Sequence, residues 1–152
     1  MNKMPLFNRS LKMDASAAVL LIRLMVGAVF LSEGIQKFLY PAALGVGRFV
    51  KIGIPIPSLT APFVGVVEIA CGLLVLLGLF TRLAAVPLFI NICVAIASTK
   101  VPLLLKNGFF NMAHEARTDW CMLLGSLFLA FVGGGSLSLD AKWQSSRQRR
   151  VF

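Results

Sequence analysis

Three ionisable side chains lie within apolar stretches of this sequence, and a fourth lies near the end of one. Arg23, Glu33 and Lys37 belong to the first stretch, and Glu68 belongs to the second. A charge at mid-bilayer costs about 2.5–3.5 kcal/mol on insertion scales, so such residues pair, line a wet cavity or carry function. Because quinone or proton chemistry requires a protonatable carboxyl, Glu33 and Glu68 are candidate catalytic residues, and Lys37 is counted with them because it lies one helical turn from Glu33. The alternative is a structural polar clamp that sets helix register.

The depths of these residues allow them to meet. If the first stretch runs outward and the second inward, Glu33 lies roughly 9 Å and Glu68 roughly 13 Å below the outer ends of their helices. Lys37 follows Glu33 at the i,i+4 spacing that favours a Glu-to-Lys contact. Two acids and one base in a medium of low dielectric constant should not all be charged, so we expect one carboxyl to hold a proton.

The single histidine of the chain supplies a further candidate. His114 lies beside Glu115 in a polar loop that also holds Arg117 and Asp119. A histidine near a membrane surface could hydrogen-bond a quinone headgroup and exchange its proton. We therefore count His114 as a candidate catalytic residue and, with Arg23 and Glu68, as part of a candidate quinone pocket. The alternative is a solvated interfacial loop.

No other cofactor is indicated by the sequence. One histidine with two unevenly spaced carboxylates does not form a zinc ligand set, so we predict no metal site. There is no nucleotide-binding motif. A quinone is the one cofactor that the pattern favours.

One face of the first stretch is suited to packing. Arg23, Gly27, Phe30, Gly34 and Lys37 are spaced four, three, four and three residues apart, which places them on one stripe of a helix. The glycines allow another backbone to approach closely, so this stripe predicts an interface between helices.

The composition indicates an integral membrane protein. Of the 152 residues, 58% are hydrophobic and the mean hydropathy is +0.85, more than a soluble domain needs. We predict one all-α membrane domain over residues 1–152, a bundle of four transmembrane helices. Lys100 and Pro102 are expected to end the third helix. An interfacial segment should then connect the third helix to the fourth. The predicted spans are about 17–39, 59–79, 83–99 and 120–139.

The charge distribution predicts the orientation. The net charge is +9, and basic residues concentrate in the tails at 1–16 and 140–152. Lysine and arginine accumulate on the cytoplasmic side, so we expect both termini in the cytoplasm and the protein in the inner (plasma) membrane. The basic patch has no recognisable reading element, so we expect no nucleic acid partner.

Three motifs together resemble the DoxX family of small bacterial and archaeal membrane proteins. The first is the stripe from Arg23 to Lys37, the second is VEIACGLLVLLGLFTR at 67–82, and the third is GGGSLSLD at 133–140. The resemblance covers most of residues 20–140. It implies a four-helix membrane domain and a role as the membrane subunit of a quinone-linked redox system, such as thiosulfate:quinone oxidoreductase. Other relatives belong to membrane oxidoreductase assemblies in oxidative-stress defence or to peptide-modification gene clusters.

Two functions therefore stay open. One is a quinone-reactive subunit of an oxidoreductase, and the other is a non-catalytic membrane scaffold that docks a soluble enzyme. Both imply contact with the lipid bilayer and either a protein partner in a membrane complex or a homo-oligomer. Whether the chain is an enzyme is not decided by these residues.

Overall fold

A computed structural model describes residues 15–148, and their regular structure is helical. The elements are α1 (Ala15–Leu39), α2 (Val46–Lys51), α3 (Pro57–Leu77), α4 (Thr81–Ala95), a π-helical turn (Ile96–Lys100), α5 (Val101–Asn107), α6 (Phe109–Glu115), α7 (Arg117–Val132) and α8 (Leu139–Gln148). The all-α prediction is confirmed over this range. The predicted basic tails fall partly on residues 1–14 and 149–152, which lie outside the described residues.

Three helical segments of the described chain are long and apolar enough to cross a membrane. They are Ala17–Leu39, Pro57–Leu77 and Thr81–Asn107. The fourth predicted span, at 120–139, differs from the structure, where α7 has only 16 residues and ends at Val132. Gly133 and Gly135 follow with φ of 83° and 71°, a left-handed backbone that glycine adopts readily and that a helix cannot continue. At 1.5 Å per residue α7 covers roughly 24 Å, less than the ~30 Å of hydrocarbon.

The third membrane helix extends beyond its predicted end at residue 99. The chain continues through the π-helical turn into α5, with Pro102 in the first turn of that helix. A proline lacks the N–H that would bond to the preceding turn, and a wider π turn absorbs such a defect without ending the helix. Ser98 donates its hydroxyl to Val94 O at 2.8 Å, and Thr99 donates to Ala95 O at 2.6 Å. The segment predicted to be interfacial is therefore helical along most of its length.

The stripe of α1 packs against α3. The two helices run antiparallel, with Gly27 opposite Gly72 and Gly34 opposite Gly65. A Cβ atom added to Gly34 would lie 2.8 Å from the carbonyl oxygen of Gly65, so the backbones approach too closely for a side chain. Close packing of this kind drives helix association in lipid, where the hydrophobic effect does not favour contact between helices.

Helices α4 and α7 complete the bundle. They pack on each other, α4 also contacts α3, and α7 also contacts α1. Buried side chains from all four helices meet in one core, among them Val26, Phe30, Val75, Leu88 and Leu129.

The end of the bundle that holds the α3–α4 turn is fastened by Asp140. Its carboxylate accepts hydrogen bonds from the backbone N–H of Phe80 at 2.9 Å and of Thr81 at 3.2 Å, at the start of α4. The backbone N–H of Asp140 donates to Gly78 O at 3.0 Å. These bonds satisfy N–H groups that a helix start leaves free, and they attach α8 to the turn.

Candidate functional site

An ion pair inside the bundle joins α1 to α3. Lys37 Nζ lies 2.6 Å from Glu68 Oε2, and only 11% and 4% of the two side chains are exposed. Helical side chains lean toward the N-terminus of their own helix. Since α1 and α3 are antiparallel, Lys37 and Glu68 lean toward each other along the bundle axis and meet between their Cα levels.

Asn91 of α4 is the third member of this cluster. Its side-chain amide donates to Glu68 Oε1 at 2.6 Å, so each carboxylate oxygen of Glu68 accepts a hydrogen bond from a different helix. Asn91 is not among the site residues predicted from the sequence. The available signal was a primary amide within an otherwise apolar span, since an amide in lipid also needs a partner.

A cavity of about 570 Å³ opens beside the cluster, at the end of the bundle opposite the α3–α4 turn. Lys37, Glu68 and Asn91 border it. Much of the remaining wall is apolar, with contributions from Val29, Phe30, Phe49, Ile52, Phe63, Val64, Ile92 and Met122. The volume lies within the ~300–1,000 Å³ typical of small-molecule sites, which are likewise mostly apolar with a few polar groups.

Glu33 also lines the cavity, but it does not form the contact expected from its spacing to Lys37. The lysine Nζ lies 3.5 Å from the Glu33 backbone oxygen and bonds to the carboxylate of Glu68 instead. The expected side-chain pairing within α1 is therefore replaced by one between helices. Within residues 15–148, the Glu33 carboxylate makes no hydrogen bond or ion pair with another side chain.

A second ion pair borders the same cavity. Lys100 Nζ lies 3.2 Å from Asp119 Oδ2 and donates to Glu115 O at 3.0 Å. These contacts fasten the π-helical turn to the beginning of α7. The cavity is thus bordered by charged groups from several elements, including Arg48 of α2.

Comparisons with known proteins identify the family. The family model described as DoxX matches residues 18–101. The chain belongs to the DoxX family. An uncharacterized membrane protein of Mycobacterium tuberculosis is 54% identical to this DoxX chain over 144 residues, covering 91% of the chain and 88% of that relative.

Of two more distant relatives, one is named for an activity and the other is uncharacterized. A Bacillus subtilis protein, CatD, provisionally named an oxidoreductase, is 33% identical over 121 residues, 80% of this DoxX chain and 83% of its own. An uncharacterized protein of Haemophilus influenzae is 32% identical over 123 residues, 80% of this chain and 87% of that relative. No solved structure matches with significant similarity.

Arg23 of this DoxX protein does not join the cavity. It is buried near the α3–α4 turn, where its guanidinium donates to four backbone carbonyls and ties the end of α3 to the loop after α7. The acceptors are Val75 O at 2.9 Å, Leu76 O at 2.7 Å, Gly134 O at 3.2 Å and Leu137 O at 2.8 Å. Arginine suits this position because its planar group donates in several directions at once.

His114 also lies apart from the cavity. It is exposed on α6, and its Nε2 lies 2.8 Å from the guanidinium of Arg117. The structure therefore brings Glu33, Lys37 and Glu68 together and separates them from both Arg23 and His114. In the part of the chain that the structure describes, no group of three or more His, Cys, Asp or Glu side chains is arranged to hold a metal ion.

Proposed function

We propose that this DoxX-family protein is the membrane subunit of a quinone-linked redox system, and that the cavity beside Lys37, Glu68 and Asn91 binds the quinone headgroup. The observation that carries the proposal is an apolar cavity with a buried, hydrogen-bonded ion pair at its wall. Ionisable groups within membrane spans are costly and are retained mainly where they serve a function. The Bacillus relative is provisionally named an oxidoreductase, which supports a redox role.

The residues around the cavity match the chemistry of a quinone headgroup. Such a headgroup is a flat apolar ring with carbonyl oxygens that accept hydrogen bonds. The ammonium of Lys37 and the amide of Asn91 have donor capacity beyond their bonds to Glu68. Phe30 and Phe63 offer apolar surface to the ring.

A bound quinone supplies the capacity to accept two electrons and two protons, becoming a quinol. In this proposal the electrons come from a two-electron reductant held by a soluble partner that docks on the membrane subunit. Lys37 offsets the negative charge that develops on a headgroup oxygen, because a cation in a medium of low dielectric constant interacts strongly with it. The apolar walls limit the access of bulk water, and a carboxyl group at the cavity wall supplies the protons.

The membrane arrangement forms part of the proposal. We infer that α7 crosses the membrane as a fourth helix, because it packs on both α1 and α4, and that both termini lie in the cytoplasm of an inner-membrane protein. The basic tails support this orientation. In a background without the native cysteines, Cys at Arg48 or His114 should react with an impermeant maleimide in intact cells, and Cys at Lys142 should not. Labelling at Lys142 would overturn the orientation.

Ligand binding tests the function directly. The purified full chain should retain quinone extracted from native membranes and should bind decylubiquinone in equilibrium dialysis. Lys37→Met should weaken decylubiquinone binding about tenfold to a hundredfold, as expected for losing a hydrogen bond to a charged donor. Lys51→Met makes the same change on an exposed lysine of α2 that does not line the cavity, and it should leave binding unchanged.

The outcome separates the two functions left open by the sequence. Absence of binding by the folded wild-type protein would exclude the quinone site and leave the membrane scaffold that docks a soluble enzyme. Equal loss in Lys37→Met and Lys51→Met would show that binding is to the surface rather than to the cavity.

A further inference from the structure

Glu33 and Glu68, two of the three acids that border the cavity, differ in their contacts. Both carboxylate oxygens of Glu68 accept hydrogen bonds, one from the ammonium of Lys37 and one from the amide of Asn91. Both nitrogens act only as donors, so a proton on Glu68 would have to point away from both of them. Bonds of this kind to a charged carboxylate are also stronger than those to a neutral acid. Both oxygens of Glu68 are therefore engaged by donors on neighbouring helices.

Glu33 has none of these contacts. Its side chain lines the cavity and is only partly buried, and no side chain among the described residues donates to its carboxylate. The charged groups that border the cavity are Glu33, Lys37, Arg48, Glu68, Lys100 and Asp119. Two ion pairs account for four of them, and Arg48 forms no ion pair with Glu33 in the described structure. Of the three acids that border the cavity, Glu33 is therefore the one whose carboxylate makes no hydrogen bond or ion pair with another described side chain.

We propose that Glu33 exchanges protons with a bound headgroup and that Glu68 is a positioning residue, which holds Lys37 and Asn91 at the cavity wall. This inference rests on the proposed quinone function. As a headgroup oxygen gains electrons, Glu33 gives up its proton: the O–H bond of the acid breaks and an O–H bond forms on that oxygen. Glu33 then recovers a proton from water that enters through the open end of the cavity. The electrons come from the external two-electron donor.

Electrochemistry with infrared detection tests this division of roles. The purified full chain is loaded with decylubiquinone, which is then reduced at an electrode while the carboxylic acid C=O band is recorded. We expect a protonated carboxyl band that responds to reduction in the wild type, is lost in Glu33→Gln and is kept, with a shift, in Glu33→Asp. Reduction of the bound probe should slow about a hundredfold or more in Glu33→Gln, as for loss of a general acid.

Both Glu33 variants leave the Lys37–Glu68 ion pair in place, so we expect them to fold. They should bind decylubiquinone within about threefold of the wild type, since Lys37 and Asn91 remain as donors to the headgroup. Glu115→Gln makes the same chemical change on an exposed acid of α6 away from the cavity and serves as the matched control. It should keep the band and the rate.

Different results would refute this inference and the proposed function. If Glu33→Gln binds decylubiquinone and keeps both the infrared band and the rate, Glu33 is not the proton carrier and the quinone function stands. The same holds if the band is lost in Glu68→Gln instead. If the wild-type protein does not bind decylubiquinone, the proposed function fails and this inference fails with it.

Discussion

Replacing Lys37 with methionine removes the cation from a buried ion pair while keeping the length of the side chain. The partner, Glu68, has 4% of its side chain exposed and would retain only the hydrogen bond from Asn91. At 2.6 Å the attraction is about 6 kcal/mol for an effective dielectric constant of ~20, offset in part by the cost of burying both charges. We therefore expect Lys37→Met to lower the free energy of unfolding by about 3–5 kcal/mol, as in other buried pairs broken on one side.

The other two variants complete a double-mutant cycle. Glu68→Met should cost less than Lys37→Met, because 11% of the lysine side chain is exposed and its ammonium can reach toward water. The double variant leaves no unpaired charge and leaves only Asn91 without its acceptor. It should therefore lose about 1–3 kcal/mol, well below the sum of the single losses.

Unfolding in mixed micelles titrated with sodium dodecyl sulfate, followed by circular dichroism, would supply the free energies. We expect a coupling energy of more than about 1 kcal/mol between the two positions. A double-variant loss within about 0.5 kcal/mol of the sum would show independent sites. In that case the two charges do not stabilise each other, and the account of the cluster is refuted.

Three further predictions concern the rest of the bundle. Gly34→Leu should lower the free energy of unfolding by about 1–3 kcal/mol, because the new Cβ would lie 2.8 Å from Gly65 O. Ala28→Leu, on the exposed face of α1, should change it by less than about 0.5 kcal/mol. Equal effects of the two variants on unfolding in micelles would contradict the contact between α1 and α3. Arg23→Lys should cost about 1.5–3 kcal/mol in the same assay, because an ammonium cannot reach all four carbonyls, and a neutral result would refute that role. His114→Ala should leave decylubiquinone dissociation constants unchanged, since His114 does not border the cavity, and a tenfold weakening in dialysis would show otherwise.

The membrane helices could be predicted because hydropathy and helix length are local properties of the chain. The segments at 17–39 and 59–79 nearly coincide with helices α1 and α3, where apolar runs of about 20 residues suit a bilayer. The ends of the other two segments could not be predicted equally well. Pro102 is compatible with a continued helix only because a π-helical turn precedes it, and Gly133 ends α7 within an apolar run. Local chain geometry, which hydropathy does not measure, decided both.

The sequence by itself determined that Glu33, Lys37 and Glu68 are charges in apolar surroundings, since a residue's type and its apolar neighbours along the chain are enough to show the cost of burial. Only the tertiary structure decided their partners. The register and rotation of the antiparallel helices bring Lys37 to Glu68 instead of Glu33, and they add Asn91 from a third helix. The cavity also depends on the packing of the helices, because its walls come from side chains far apart in the chain. Spacing within one helix predicts its faces, but the neighbour that each face meets depends on how the helices pack.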